Sequence, residues 1–493
     1  MHLRAIDLGI IIAYLAGVTL LGIAFRRNQH SLRDYLLGGR TAPWWALAFS
    51  IVATETSTLT IIGTPALAYA GNLGFLQVVM GYLVGRVAIV LLFLPHYFRG
   101  EFFTAYQFIE RRFGQQAKRA AAATFLVTRV LAEGVRVAAV ALVVSVALDT
   151  GPRASAAVVV ALTLLYTFEG GMKAVIWTDV AQACLYLAGS IVAFALLLHG
   201  IPGGWSEVAR VSAGAGDKLR VFDFSFSWRA LGNPAKTYTF WSGVIGGGFL
   251  TMASHGTDQT IVQRLLAAKS ERESRWALLG SGVIIFAQFA LFLLLGAMLF
   301  VRDGAPAIVA GRSYDNVFPQ FIMAALPVGL RGLVIASILA VAMSNLSGSL
   351  NSLAASSVLD FRAIRRGGEA GGADQLTLLR RSRWMTVVWG AAVLALATAH
   401  WGPVLEAGLT IASITYGSLL GLFLLGAIDR RANQAGAIMG MFAGLAALVA
   451  IHEMKWLDWT WYVLAGALVT FAVGATTSLI FGRRTETREQ REA

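Results

Sequence analysis

Thirteen apolar stretches follow one another along the 493-residue chain, at about 5–25, 44–70, 73–98, 119–149, 153–168, 175–199, 240–263, 276–301, 322–360, 384–400, 402–428, 435–451 and 459–482. A helix needs about 20 residues to cross the roughly 30 Å hydrocarbon core of a bilayer. Lipid offers no partner to a backbone amide, so segments of this kind must be helical. The expected fold is an all-α integral membrane protein of about 13 transmembrane helices. Composition agrees, with 57% of residues hydrophobic and 14% charged, outside the range of ordinary soluble domains. The first stretch is too long for a removed signal peptide and lacks a small-residue cleavage site, so it is read as a retained helix. The stretch 322–360 exceeds one crossing, which puts its start, Ala325 to Arg331, at the surface.

The net charge of +13 would suit nucleic acid if it were clustered, but it is spread over short loops between apolar segments. Counting Lys and Arg in alternate loops gives 26 on one side and 10 on the other. The positive-inside tendency then places the N-terminus outside and the C-terminus in the cytoplasm of a multi-pass cell-membrane protein. Nucleic acid is not an expected partner, and no obligate protein partner is inferred. The single Cys184 allows no intramolecular disulfide and no cysteine metal site. The polar stretches 200–239 and 361–383 are too small for a separate catalytic domain. The charged tail 483–493 is expected to be disordered. No HExxH, P-loop or nucleophile elbow is present, so the chain is not read as an enzyme.

The stretch 44–70 is interrupted by Ala53-Thr54-Glu55-Thr56-Ser57-Thr58. A carboxylate at mid-membrane is costly unless compensated. A helix broken there frees carbonyls that a bound cation can satisfy. A second polar knot, Ser344-Asn345-Leu346-Ser347-Gly348-Ser349, lies in a later apolar run. Sodium wants several hard oxygens, and these two segments offer carbonyls, hydroxyls and an amide. The competing reading is that the small residues only help helices pack. A further break, Thr251 to Gln259, contains His255, which either contacts a solute, relays protons or closes the broken helix.

Arg129, Glu133 and Arg136 recur at helical spacing and share a face, leaving a net positive charge that either meets an anionic solute or belongs to a purely structural ion network. Asp179 starts a span and either ligates a second cation or bonds to backbone. Arg86 is expected to snorkel or to pair with a loop acid, and is given no role.

Four segments together resemble the sodium:solute symporter family, which includes sodium–glucose, sodium–proline, sodium–iodide and sialic acid symporters. They are Ala53 to Ser57, Gly170 to Asp179, Gly256 to Arg264 and Met343 to Ser347, and the similarity runs over nearly the whole chain. The resemblance implies a LeuT-type 5+5 inverted repeat in one transporter domain. Here 5–25 would be the preceding helix, 44–199 and 240–428 the repeats, and 435–482 two following helices. It implies a sodium site from the carbonyls of Ala53, Thr56 and Val341 and the side chains of Ser344 and Asn345. Asn345 departs from the Ser or Thr usual there. A second sodium would use Asp179, Ser344 and Ser347, with Gly348 where a further serine is expected, so one sodium per cycle is favoured.

The solute would sit between the broken helices, near Ser57, Thr60, Arg136, Thr251, Ser254 and His255. Arg136 looks equivalent to the arginine that holds the carboxylate in sialic acid symporters. Thr251 and Ser254 replace the Asn and Tyr expected of a galactose carrier. The resulting expectation is sodium-coupled uptake of a small polar solute, with a carboxylate or amino acid ahead of a sugar. The competing readings are a proton-coupled or facilitative carrier, and a transporter-like sensor, against which the short tail argues.

Overall fold

A computed structural model describes residues 3–24, 38–99, 104–148, 150–167, 172–227, 231–233, 236–309, 312–361, 372–399, 401 and 404–492. The expected loop 26–43 lies largely outside the described residues, as do 362–371 of the expected loop 361–383, whose remainder from Gly372 onward is helical. Among the described residues there is no β-strand, only an isolated bridge between Ala42 and Ala268.

The first helix, α1 (Ala5–Ala24), precedes the pair α2 (Trp44–Glu55) and α3 (Thr58–Ala70). Then come α4 (Leu76–Leu92), the short α5 (Leu94–Phe98) and α6 (Tyr106–Phe113), α7 (Gln115–Leu148), α8 (Pro152–Thr167) and α9 (Met172–His199). The polar stretch 200–239 holds the short α10 (Gly204–Gly214). A second series follows: α11 (Gly247–Gly256), α12 (Gln259–Leu266), α13 (Glu271–Arg302), α14 (Val317–Ala325), α15 (Leu330–Leu359), α16 (Gly372–Ala397) and α17 (Val404–Ile428). The last two are α18 (Gln434–Glu453) and α19 (Trp459–Glu492).

By length and apolar character, six helices among the described residues can each cross a membrane, and the α2–α3 pair, bent by 64°, makes a seventh. Shorter apolar helices include Leu76–Leu92, Pro152–Leu164 and Trp384–Ala397. Large apolar side chains such as Ile12, Leu91 and Trp384 stand exposed on the outside of the bundle, where only lipid would cover them without cost.

The knot 344–349 lies within a continuous helix, α15, from Leu330 to Leu359. Its hydroxyls bond back along the helix or across it, so no backbone turn is lost. One expectation changes here. The tail is not irregular: α19 continues through Arg483 and Glu486 to Glu492. Arg, Glu and Gln are good helix formers, and extending an existing helix needs no new nucleus. The long stretch 322–360 divides near its start, at a turn after Ala325 where Gly329 has φ +90°.

The broken pair is enclosed. α9 and α15 flank α2, while α13 runs along both α2 and α3. Gly296 of α13 lies against the Pro65 carbonyl so closely that a Cβ would clash. Small residues allow this backbone-to-backbone approach where no hydrophobic drive separates helix from lipid.

Candidate functional site: an ion cage beside a charged cavity

The break between α2 and α3 follows from local hydrogen bonding. Thr56 N–H still reaches Val52 O at 2.8 Å, but Thr56 (ψ 109°) and Ser57 (ψ 170°) are extended. Ser57 N–H donates to the Thr60 hydroxyl at 3.3 Å rather than to Ala53 O. Thr60 N–H turns to Ser57 O at 2.9 Å rather than to Thr56 O. The carbonyls of Ala53 and Thr56 are therefore released from the helix. The Thr56 hydroxyl points elsewhere, donating to Gln288 Oε1 at 3.0 Å beside Tyr186.

Both freed carbonyls face α15, and the group they meet there is the Asn345 side chain. Its Nδ2 donates to Thr56 O at 2.7 Å, Val341 O at 3.1 Å and Ala53 O at 3.3 Å. Its Oδ1 is buried without a hydrogen-bond partner, a deficit that typically costs about 1–3 kcal/mol. Four of the five expected cage residues, Ala53, Thr56, Val341 and Asn345, are thus brought together, with an amide nitrogen at their centre. Ser344 faces away from it and donates to Asp179 Oδ1.

Asp179 holds the second expected position. Its Oδ2 accepts from the Ser50 hydroxyl at 2.6 Å and from Arg264 Nη2 at 2.9 Å. Arg264 Nε also donates to Ser50 Oγ at 2.9 Å, and Nη1 to Thr260 O at 2.7 Å. A guanidinium therefore meets the carboxylate where a second cation was expected. Ser347 does not join them, since its hydroxyl bonds back to Ser344 O at 3.0 Å. Gly348 leaves ordinary contact room for the guanidinium, with an added Cβ 3.6 Å from Arg264 Nη2.

Next to the cage is a partly open cavity lined by all six expected solute residues: Ser57, Thr60, Arg136, Thr251, Ser254 and His255. Its apolar wall includes Phe75, Tyr82 and Phe289. Glu55 also lines it, accepting from His255 Nε2 at 3.2 Å and from Arg86 Nη2. His255 Nδ1 lies 2.8 Å from the Ser254 hydroxyl. Arg86, expected to snorkel or to pair with a loop acid, is instead fully buried and neutralises Glu55 at the helix break. His255 bridges the two breaks rather than closing its own helix.

The arginine cluster also changes. Glu133 receives Arg136 Nη1 at 2.6 Å and the Ser349 hydroxyl at 2.7 Å, with Arg129 Nη2 at 3.4 Å. Arg129 Nη1 lies 3.7 Å from Asp258, which also accepts from the Tyr416 hydroxyl at 2.8 Å and caps α12 through Thr260 N–H at 2.8 Å. The net positive charge read from the sequence is balanced by Asp258, a residue too distant in the chain for spacing to reveal. Arg136 nevertheless keeps a donor in reserve, since its Nε is buried without a partner.

The residues that sequence reasoning missed are Arg86, Asp258 and Arg264. Arg264 falls just after the expected span 240–263, yet it lies buried against Asp179. Its place beside the polar break 251–259 is the signal that pointed inward.

Residues 35–444 match the model of the sodium:solute symporter family. The chain belongs to this family. As a member it is a multi-pass membrane symporter coupled to sodium, and not an enzyme. It is 27% identical over 489 residues to the sodium/sialic acid symporter SiaT of Proteus mirabilis (strain HI4320), covering 97% of this chain and 95% of that one. A solved Na+-coupled sialic acid symporter, substrate-bound and outward-open, superposes with a TM-score of 0.84 at 26% identity, over 97% of this chain and 98% of that one. The fold alone extends to Mhp1, a nucleobase-cation-symport-1 family transporter, with a TM-score of 0.55 at 12% identity over 91% of this chain and 94% of that one.

Proposed function

We propose that the chain carries a small carboxylate-bearing solute of the sialic-acid class into the cell together with sodium, by alternating access. The observation that supports this most is Arg136. It sits on the wall of the cavity with its side chain 21% exposed and its Nε unpaired, while its charge is held in place by Glu133. A carboxylate entering there gains a charge-assisted hydrogen bond. The likeness to SiaT supports the same class.

Sodium, as cargo, would enter the cage of Ala53, Thr56, Val341 and Asn345, bridging α2 to α15 before the solute binds. Ser344 would complete the cage by turning from Asp179. Asp179, Ser344 and Ser347 form the weaker candidate for a second ion, because Arg264 already meets the carboxylate. One charge moving through 100 mV supplies about 2.3 kcal/mol. At about 1.4 kcal/mol per decade that sustains roughly fifty-fold accumulation. The remaining assignments are thirteen spans, two five-helix repeats over 44–199 and 240–428, an external N-terminus and a cytoplasmic C-terminus.

The test is a thermal-shift screen of purified protein against sialic acid, simple carboxylates, amino acids and neutral sugars, each with sodium or with potassium. Stabilisation by a carboxylate in sodium, lost in potassium, is expected. A neutral sugar stabilising best would reject the solute class.

A further inference from the structure

The carbonyls of Ala53, Thr56 and Val341 converge on one point, and Asn345 Nδ2 stands at it. An amide nitrogen carries two hydrogens, so three acceptors share two donors. The same side chain leaves its Oδ1 buried and unpaired. The orientation is forced, because reversing the amide would set an acceptor against three acceptors. A cation cannot enter the cage while the nitrogen remains 2.7–3.3 Å from all three carbonyls. It can enter if the side chain turns, and turning would bring the idle Oδ1 to the ion as a ligand.

We propose that Asn345 is a tethered competitor of sodium for this cage. Without the ion, its nitrogen joins the broken end of α2 to the continuous α15. With the ion, its oxygen becomes one of the ligands. The inference rests on the sodium reading above and adds a specific role to a side chain that the cage alone would treat as a passive ligand. Two consequences follow. The ion must displace three hydrogen bonds in order to bind, which lowers its apparent affinity. The ion-free protein is stabilised by the tie, and that tie carries no net charge.

The test compares wild type with Asn345→Ser and, should that variant fold poorly, Asn345→Thr. Thermal unfolding of the purified full chain is followed against sodium chloride, with choline chloride holding ionic strength. Removing the competing amide is expected to lower the half-saturating sodium concentration at least tenfold, and to lower the unfolding temperature when sodium is absent. An unchanged or higher half-saturating concentration in the variants overturns the proposal while leaving sodium binding intact. No sodium response in wild type or in either variant overturns both the competition and the assignment of the cage as an ion site.

Discussion

Arg264 Nη2 stands 2.9 Å from Asp179 Oδ2, with the two side chains 2% and 1% exposed. The pair joins α12, after the second helix break, to α9. Ser50 of α2 donates its hydroxyl to the carboxylate and accepts from the guanidinium. A buried acid needs a positive partner, and the chain supplies one from its own side chains. This is the physical reason that the second ion position is the weaker candidate.

Replacing Arg264 by Met leaves Asp179 buried without its counter-charge. Breaking one side of a buried pair costs about 3–5 kcal/mol. Stability in sodium-free buffer should fall by about that amount, and added sodium should recover part of it, because oxygens of Asp179, Ser50 and Ser344 then lack a cation. A sodium-insensitive loss of stability would show that no ion can take the arginine's place.

Glu55→Gln strands the fully buried Arg86 guanidinium and should destabilise by about 3–5 kcal/mol. The double variant Glu55→Gln with Arg86→Met should recover most of that loss, since neither charge remains. Unfolding of the two single variants and the double variant forms a cycle. Additive losses would mean that the two groups do not stabilise each other.

Arg136→Ala should weaken binding of a carboxylate solute by about 10- to 100-fold, the equivalent of one charged hydrogen bond of about 1.5–3 kcal/mol. Binding of a neutral analogue should change little. Equilibrium binding by calorimetry, with the acid and its neutral amide compared, gives the result directly.

Lys218 lies in the polar stretch 200–239, buried, with its Nζ donating to Tyr69 O at 2.7 Å and standing 4.0 Å from the Phe300 ring centroid. Burial pulls its amine down to about 8. An unfolded lysine keeps its proton to a higher pH, near 10.4. Between these values the unfolded chain binds more protons, so the stability contribution rises with pH from about 8 towards 10. Lys218→Met should flatten this part of the unfolding-temperature profile measured from pH 7 to 10.

The local features of the site were legible from residues close together in the chain. The run from Ala53 to Thr58 announces a broken helix because six polar or small residues interrupt an apolar stretch. Thr251, Ser254 and His255 announce a second break in the same way, and all of them reach one cavity. What could not be read were the pairings between distant segments. Glu55 looked like a cost awaiting a cation, yet Arg86, 31 residues away, answers it. Arg129 and Arg136 looked like surplus charge, yet Asp258 at the start of α12 stands beside Arg129. The knot 344–349 leaves its helix unbroken because Ser and Asn side chains return their hydrogen bonds to a helix as readily as they leave it. Of its residues, Asn345 meets the freed carbonyls and Ser344 meets Asp179, while Ser347 bonds back to its own helix.

Ser344, Asn345 and Ser349 ride on one uninterrupted rod and grip Asp179, the Thr56 carbonyl and Glu133 in turn. A stiff element cannot let go of one handhold while keeping the others. Any stroke that slides or rolls the rod must unlatch all three nearly at once, so opening the barrier on one side of the membrane should behave as a single concerted throw rather than a graded yielding.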